Sequence, residues 1–317
     1  MSSNDTAGDW SQDHWTQDLG ALGSAALDEA AKADAAIPDL DWTVLPEGAM
    51  RSTFDAPSGP LAMISLGDPT AQRIVLAPGV TGSKEDFILM LPGLAAAGFH
   101  VQAIDLAGQY ESGRAGPQNL DPPRSHYDYD LFVDDLIAVL DAGTGPSHVL
   151  GYSFAGTVVQ LAYVARPELF ASLTFLSCPP EPGQGFRGVS RIGWASGLAT
   201  GKIGAALMIW GLGRNVTHVP PGRQRFVEHR FDSTRREAVE DIIAMMKRAP
   251  DSLDALAAAE IPKLVAVGEH DLWPLHLHAE FAERIGARIA VYRTGHSPCE
   301  TAPNQLNRDL LELYSRS

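Results

Sequence analysis

An α/β fold with a mostly parallel sheet is what this sequence predicts, and three observations carry the prediction. An antiparallel hairpin is followed by repeated strand-then-helix units, which pack as a parallel sheet with helices on both faces. A segment of about seventy residues, too long for a connecting loop, interrupts this alternation before it resumes. One short apolar strand breaks directly into a glycine-flanked serine and then a helix. That arrangement lifts a serine oxygen above the end of a sheet.

The elements follow in order. Residues 1–41 are rich in Asp, Ala and Ser and are expected to lie outside the main core as an acidic, solvated N-terminal arm. Trp15, Leu19, Leu22 and Ala26 fall at helical spacing, which gives part of the arm a face able to dock. The first part of the core is expected over 42–178. Ala49 to Phe54 and Leu61 to Leu66 read as hairpin strands around a Pro- and Gly-containing turn. Arg73 to Ala77 is a buried strand, followed by a glycine loop and a helix from Lys84 to Ala97. His100 to Leu106 is the next strand. Asp130 to Asp141 is an amphipathic helix with Leu131, Val133, Leu136, Ile137 and Leu140 on its apolar face. Val149 to Tyr152 is the strand that feeds Ser153, with helix from Thr157 to Ala165, and Ser172 to Cys178 is the strand after it.

Residues 179–251 contain no clear strand and predict a small helical insertion. It carries Phe186, Trp194, Leu207, Met208, Ile209 and Trp210 among many glycines. The core resumes over 252–317 with a strand from Lys263 to Val267, a helix from Leu275 to Ile285, a strand from Ile289 to Arg293 and a last helix from Gln305 to Tyr314.

Composition narrows the function classes. The net charge of −15 is concentrated in the arm: residues 1–41 hold nine Asp/Glu and one Lys, a net of −8, which leaves −7 for the rest. An acidic chain without a basic patch has no general attraction for nucleic acid or anionic membranes. Two distant cysteines, Cys178 and Cys299, form no CxxC pair and no metal-ligand cluster, so neither a metal nor a disulfide is called for. The most apolar stretch, Gly193 to Gly213, is broken by Lys202 and falls short of a spanning helix. Residues 1–20 are polar and acidic, unlike a secretory leader. A cytoplasmic protein is expected.

A serine hydroxyl barely ionises at neutral pH, so a nucleophilic serine needs a base, an orienting acid and fixed donors for the oxyanion. In a parallel sheet these groups belong at the carboxyl ends of strands. The strand ending at Val267 runs into Gly268-Glu269-His270-Asp271, and the last strand runs into Thr294-Gly295-His296. The order is Ser153, Asp271, His296. Glu269, His270 and Glu181 compete with Asp271 for the acid. Cys299 lacks the strand-turn-helix setting a nucleophile needs and reads as a packed thiol. The loop Pro78-Gly79-Val80-Thr81-Gly82-Ser83 is glycine-rich and can approach a substrate oxygen. Its Val80 N–H and the N–H of Phe154, just after the serine, are the expected oxyanion donors.

Together, Pro78–Ser83, Asp105-Leu106-Ala107-Gly108, Gly151-Tyr152-Ser153-Phe154-Ala155-Gly156, Gly268–Asp271 and Gly295-His296-Ser297-Pro298 resemble the α/β-hydrolase superfamily over about residues 44–315. The likeness is to its capped esterases, C–C hydrolases and cofactor-free haloperoxidases. It implies an eight-stranded, mostly parallel sheet with a helical cap, Ser153 as nucleophile, His296 as base and Asp271 as orienting acid. It implies no cofactor. Three residues depart from the family pattern: Pro78 replaces a histidine, Ala155 replaces a glycine, and the loop Gly108-Gln109-Tyr110-Glu111-Ser112 lacks a second glycine. Haloalkane dehalogenase and epoxide hydrolase chemistry would need a carboxylate where Ser153 stands.

The expected activity is hydrolysis of a small or medium carboxylic ester through an acyl-enzyme. The same triad would also serve a C–C hydrolase or a perhydrolase, and a non-catalytic binding protein of this fold is the third reading. Trp194, Met208, Trp210 and Trp273 are candidate walls of an apolar substrate pocket; their alternative is simply to pack the insertion and core. The partner is then a small-molecule acyl substrate, and the sequence leaves the oligomeric state open.

Overall fold

A computed structural model describes residues 26–183, 185–186 and 219–316. Eight strands form one sheet: β1 (Met50–Ala56), β2 (Gly59–Leu66), β3 (Arg73–Ala77), β4 (His100–Ile104), β5 (Ser147–Tyr152), β6 (Phe170–Leu176), β7 (Lys263–Gly268) and β8 (Arg288–Tyr292). Their spatial order is β1-β2-β4-β3-β5-β6-β7-β8. β2 pairs antiparallel with β1 and β4, and every other neighbour is parallel. The α/β-hydrolase topology expected from the sequence is therefore the one present.

Period-two alternation decides which residues meet which helices. Val75 and Ala77 of β3 join a core with α3 (Tyr129–Asp141), α4 (Phe154–Ala165) and α8 (Leu275–Ile285). Ile74 and Leu76 face the other way, toward α2 (Leu91–Ala96) and α10 (Pro303–Tyr314). Both faces of the central strands are buried, which is why Ile74–Ala77 of β3 and Leu264–Val267 of β7 read as unbroken apolar runs.

One expected element differs. The helix over 84–97 is split into a 3₁₀ turn, Lys84–Phe87, and the short α2. Pro92 has no N–H for an earlier carbonyl and its ring crowds the preceding turn, so the helix restarts with Pro92 in its first turn.

The acidic arm also departs from expectation. From residue 26 onward it packs on the core rather than standing off in solvent. α1 (Ala26–Ala35) lies against α10, and the Asp34 carboxylate accepts from the backbone N–H of Asn304 and Gln305 and from both their side-chain amides. Asp34 thus satisfies N–H groups that the start of α10 leaves without helical partners. Asp39 does the same for Gly222 at the start of α5 (Pro221–Ser233), at 3.0 Å. Trp15, Leu19 and Leu22 lie outside the described residues.

The described part of the segment 179–251 contains α5 and α6 (Arg236–Met246). Its two ends are pinned together: Gly183 and Ala249 exchange backbone hydrogen bonds of 2.8 and 2.9 Å, and Gly185 N–H donates to Met246. After it, the short α7 (Leu253–Ala257) leads into β7.

Candidate active site

Ser153 sits between β5 and α4 at φ +52°, ψ −119°, a backbone conformation that non-glycine residues rarely adopt. Two close approaches surround it. A Cβ on Gly151 would lie 2.5 Å from the Ala155 carbonyl oxygen, and one on Gly156 would lie 2.4 Å from the Cys178 Cβ. The glycine after the serine that this elbow cannot do without is Gly156. Ala155 is fully buried in the core, so the departure from the family pattern at that position is accommodated.

His296 follows β8 and Asp271 follows β7, both at the carboxyl edge of the sheet where β5 delivers Ser153. The His296 Nε2 lies 3.2 Å from the Ser153 Oγ, and its Nδ1 lies 3.2 Å from one Asp271 oxygen and 3.3 Å from the other. Burial alone would push the Asp271 carboxyl up. The facing His296 and the His278 imidazole, whose Nε2 is 3.7 Å away, outweigh burial and hold it well below the usual carboxylate range. The competitors for the acid are elsewhere: Glu269 pairs with His270 at the surface, and Glu181 makes no bond to His296.

Two aromatic rings flank the imidazole. Tyr152 lies 5.4 Å from it between ring centroids, and its hydroxyl shares a 2.8 Å hydrogen bond with Ser297. Trp273 lies 5.7 Å away on a tilted plane, and its indole N–H donates to the Gly185 carbonyl at 2.7 Å. Trp273 is thus packed between the imidazole and the insertion. Trp194, Met208 and Trp210, the other candidate pocket residues, lie outside the described residues.

The loop Pro78–Ser83 runs beside Ser153: a Cβ on Gly79 would lie 2.9 Å from the Ser153 Cβ. Among the described residues, neither Val80 N–H nor Phe154 N–H donates to another group of the protein. The Val80 side chain packs against the cluster of Val239 and Ile243, as does Phe186.

Sequence reasoning missed what holds this loop. Asp105, at the end of β4, accepts from the Lys84 backbone N–H at 2.7 Å and from the Lys84 ammonium at 3.1 Å. Burial and the neighbouring Glu85 push its carboxyl up to about 7 against the pull of Lys84. Asp86 is fully buried and accepts from two guanidinium groups of α5, Arg223 at 2.7 Å and Arg230 at 2.6 Å. Burial opposes ionisation of Asp86, but the two arginines hold it ionised. Arg223 also bonds Glu300, four residues after His296, and lies over the Trp42 ring. A four-member, charge-balanced ion cluster therefore joins α5, the turn Lys84–Phe87 and the segment after His296, and Arg230 also donates to the Ser83 hydroxyl at 3.3 Å. Only the glycine and aspartate of Asp105-Leu106-Ala107-Gly108 were visible as signals; nothing marked Asp86 or the arginines as buried.

Cys178 and Cys299 are both free and buried, and burial pushes both thiols well up. No group of three or more His, Cys, Asp or Glu side chains among the described residues is placed to hold a metal ion. No helix among them is long and apolar enough to cross a membrane.

A doubly faced parallel sheet with serine, histidine and aspartate at its carboxyl edge defines a class of hydrolytic α/β enzyme. Residues 74–309 match the Alpha/beta hydrolase family, and the chain belongs to it. It is similar to Epoxide hydrolase A of Mycobacterium tuberculosis, 30% identical over 123 residues that cover 38% of this chain and 36% of that enzyme. The chain thus spans about a third of that relative's length. Two solved structures share the fold. One is a hydrolase from Pseudomonas aeruginosa PA01 (TM-score 0.65, 22% identity, 83% of this chain and 97% of that one). The other is the enol-lactonase from Burkholderia xenovorans LB400 (TM-score 0.67, 15% identity, 83% and 100%).

Proposed function

We propose that this chain is a serine hydrolase that cleaves small or medium, apolar carboxylic esters through an acyl-enzyme. The observation that carries the reading is the continuous chain from Ser153 Oγ through His296 Nε2 and Nδ1 to the Asp271 carboxylate. Ser153 Oγ attacks the ester carbonyl carbon while His296 Nε2 takes the hydroxyl proton. The carbonyl oxygen becomes an oxyanion and accepts from the N–H groups of Val80 and Phe154. As the tetrahedral intermediate collapses, the C–O bond to the alcohol breaks and His296 returns the proton to the leaving oxygen. Water then attacks the acyl-enzyme with His296 again as base, releasing the acid and restoring Ser153. Asp271 keeps the Nδ1 proton in place and stabilises the imidazolium.

This chemistry needs no metal or organic cofactor. An apolar acyl or alcohol portion is favoured because Val80, next to the reacting oxygen, packs against the apolar cluster of Val239 and Ile243, which Phe186 also covers. We read residues 179–251 as the cap over this site. Two buried free thiols agree with a reducing, cytoplasmic setting. Epoxide opening, the activity named for the Mycobacterium relative, fits poorly with Ser153 in place of a carboxylate nucleophile. Fluorophosphonate labelling, with peptide mapping and a series of p-nitrophenyl esters, tests the proposal. Labelling at Ser153 and turnover abolished in Ser153→Ala are expected. Labelling that survives that substitution would overturn it.

A further inference from the structure

Gln109 is fully buried, and both ends of its side-chain amide are spent on the loop beside the nucleophile. Its Oε1 accepts from the Thr81 backbone N–H, and its Nε2 donates to the Gly79 carbonyl at 3.3 Å. These two backbone groups belong to the peptide planes on either side of the Val80 Cα. The Gly79 carbonyl and the Val80 N–H share one plane, and in a trans peptide they point in opposite directions. Holding the carbonyl toward Gln109 therefore turns the Val80 N–H away from it. The second plane is held by its N–H, so neither can rotate without losing a buried bond.

The loop has reason to need this. Thr81 sits at φ +61°, in the left-handed region that a threonine disfavours. Glycines on both sides, Gly79 and Gly82, leave the segment few side chains of its own to pack. A turn bond from Gly82 N–H to the Gly79 carbonyl, at 3.0 Å, uses one of its lone pairs, and the Gln109 amide donates to the other while accepting from Thr81 N–H on the far side. Gln109 is itself a fixed point. Gly108 N–H donates to Ser112, Glu111 N–H to Asp105, and from the other side Arg235 N–H donates to the Gly108 carbonyl while Tyr110 N–H donates to Thr234. A primary amide is the side chain that offers a donor and an acceptor at one tip, and asparagine is one methylene shorter.

We infer that Gln109 is a positioning residue of the oxyanion site, clamping the Gly79–Val80–Thr81 segment from both sides so that the Val80 N–H faces the reacting oxygen. The inference rests on the reading of Ser153 as an acyl-transfer nucleophile. It also gives a use to the loop where the second glycine of the family pattern is missing.

Two variants test it: Gln109→Met, which keeps length and removes both bonds, and Gln109→Glu, which keeps the acceptor for Thr81 and loses the donor. Active sites are first counted by fluorophosphonate titration, and kcat per titrated site is then measured on a p-nitrophenyl ester. Removing one oxyanion donor costs about 100- to 1,000-fold in kcat, so misaiming one is expected to cost about 100-fold in the Met variant and about 10-fold in the Glu variant. KM should change by less than about 3-fold, because the ground-state carbonyl is bound more weakly than the oxyanion. The inhibition constant of a trifluoromethyl ketone, which forms a tetrahedral adduct, should rise by the same factor as kcat/KM falls. A merely structural role would lower the titrated fraction and leave kcat per site and inhibitor affinity as in the wild type, and that result overturns the inference. Should Gln109→Met fail to fold, Gln109→Glu decides alone. Wild-type protein that takes no label at Ser153 refutes the hydrolase reading instead, before either variant is compared.

Discussion

Ser153 and the loop Pro78–Ser83 face each other across the candidate site, yet different forces hold them. The serine is fixed by backbone geometry. α4 passes so close to β5 at Gly151, and to Cys178 after β6 at Gly156, that neither glycine has room for a Cβ, and Ser153 is left at φ +52° on the turn between β5 and α4. No charged group takes part. The loop and the turn that follows it, by contrast, are held by polar side chains brought from three places: Asp105 after β4, Gln109 beyond it, and α5, which supplies Arg223 and Arg230. Packing of this kind is indifferent to pH and intolerant of volume. A buried ionic network tolerates small changes of volume but fails when one partner is removed. Ser153 and the proposed oxyanion loop should therefore fail independently, and for different reasons.

Removal of the proposed nucleophile should have the largest effect and the cleanest separation. Ser153→Ala should lower kcat/KM on a p-nitrophenyl ester by about 10⁴-fold or more, with a melting temperature no lower than wild type. A large drop in melting temperature would show that the hydroxyl also holds the elbow. On the other side, Arg223→Met leaves Glu300 buried without its arginine and Asp86 with one instead of two. A loss of about 3–5 kcal/mol in unfolding free energy is expected by urea denaturation. A loss under about 1 kcal/mol would mean the cluster is not load-sharing between α5 and the core. Gly156→Ala tests the packed half. Its added methyl group would sit 2.4 Å from the Cys178 Cβ, and about 1–3 kcal/mol of destabilisation is expected, equal at pH 5 and pH 8.

The smallest effect is the most specific. Asp105 has an ordinary carboxyl value of 3.8 when unfolded and about 7 when folded, so between about pH 4 and pH 7 the folded state binds more protons. Stability from this group is full below about pH 4 and declines as pH rises toward 7. Asp105→Asn should flatten that decline in a series of urea melts, while Gly156→Ala leaves its slope untouched. An unchanged slope in Asp105→Asn would remove the pH distinction between the two halves.

The same contrast explains how much the sequence reveals. Ser153, Asp271 and His296 are legible because each follows an apolar strand, and strands buried on both faces leave an unmistakable run of residues such as Leu264 to Val267. Their meeting follows from parallel order alone. Gln109 leaves no such trace. Its bonds reach backbone groups 28 and 30 residues away and depend on no periodicity. Asp86, Arg223 and Arg230 resemble surface charges in a helical segment, since pairing across 137 and 144 residues has no local signature. Pro92 was a visible break in the helix over 84–97, but the apolar pattern runs on through it. Ala155 looked like a defect because spacing cannot say which small residue meets the neighbouring strand; the Cys178 contact assigns that burden to Gly156.

The two carboxylates of the arm carry a further consequence for how the chain is made. Asp34 finds its partners at Asn304 and Gln305, 270 residues further on, and Asp39 finds Gly222. At a synthesis rate of roughly 5–20 residues per second, the arm waits roughly 15 to 50 s on the ribosome before α10 exists to receive it. Asp39 closes onto α5 well before that. Assembly of this chain should thus end where it began, with residues 26–35 docking last, after translation has delivered their seat.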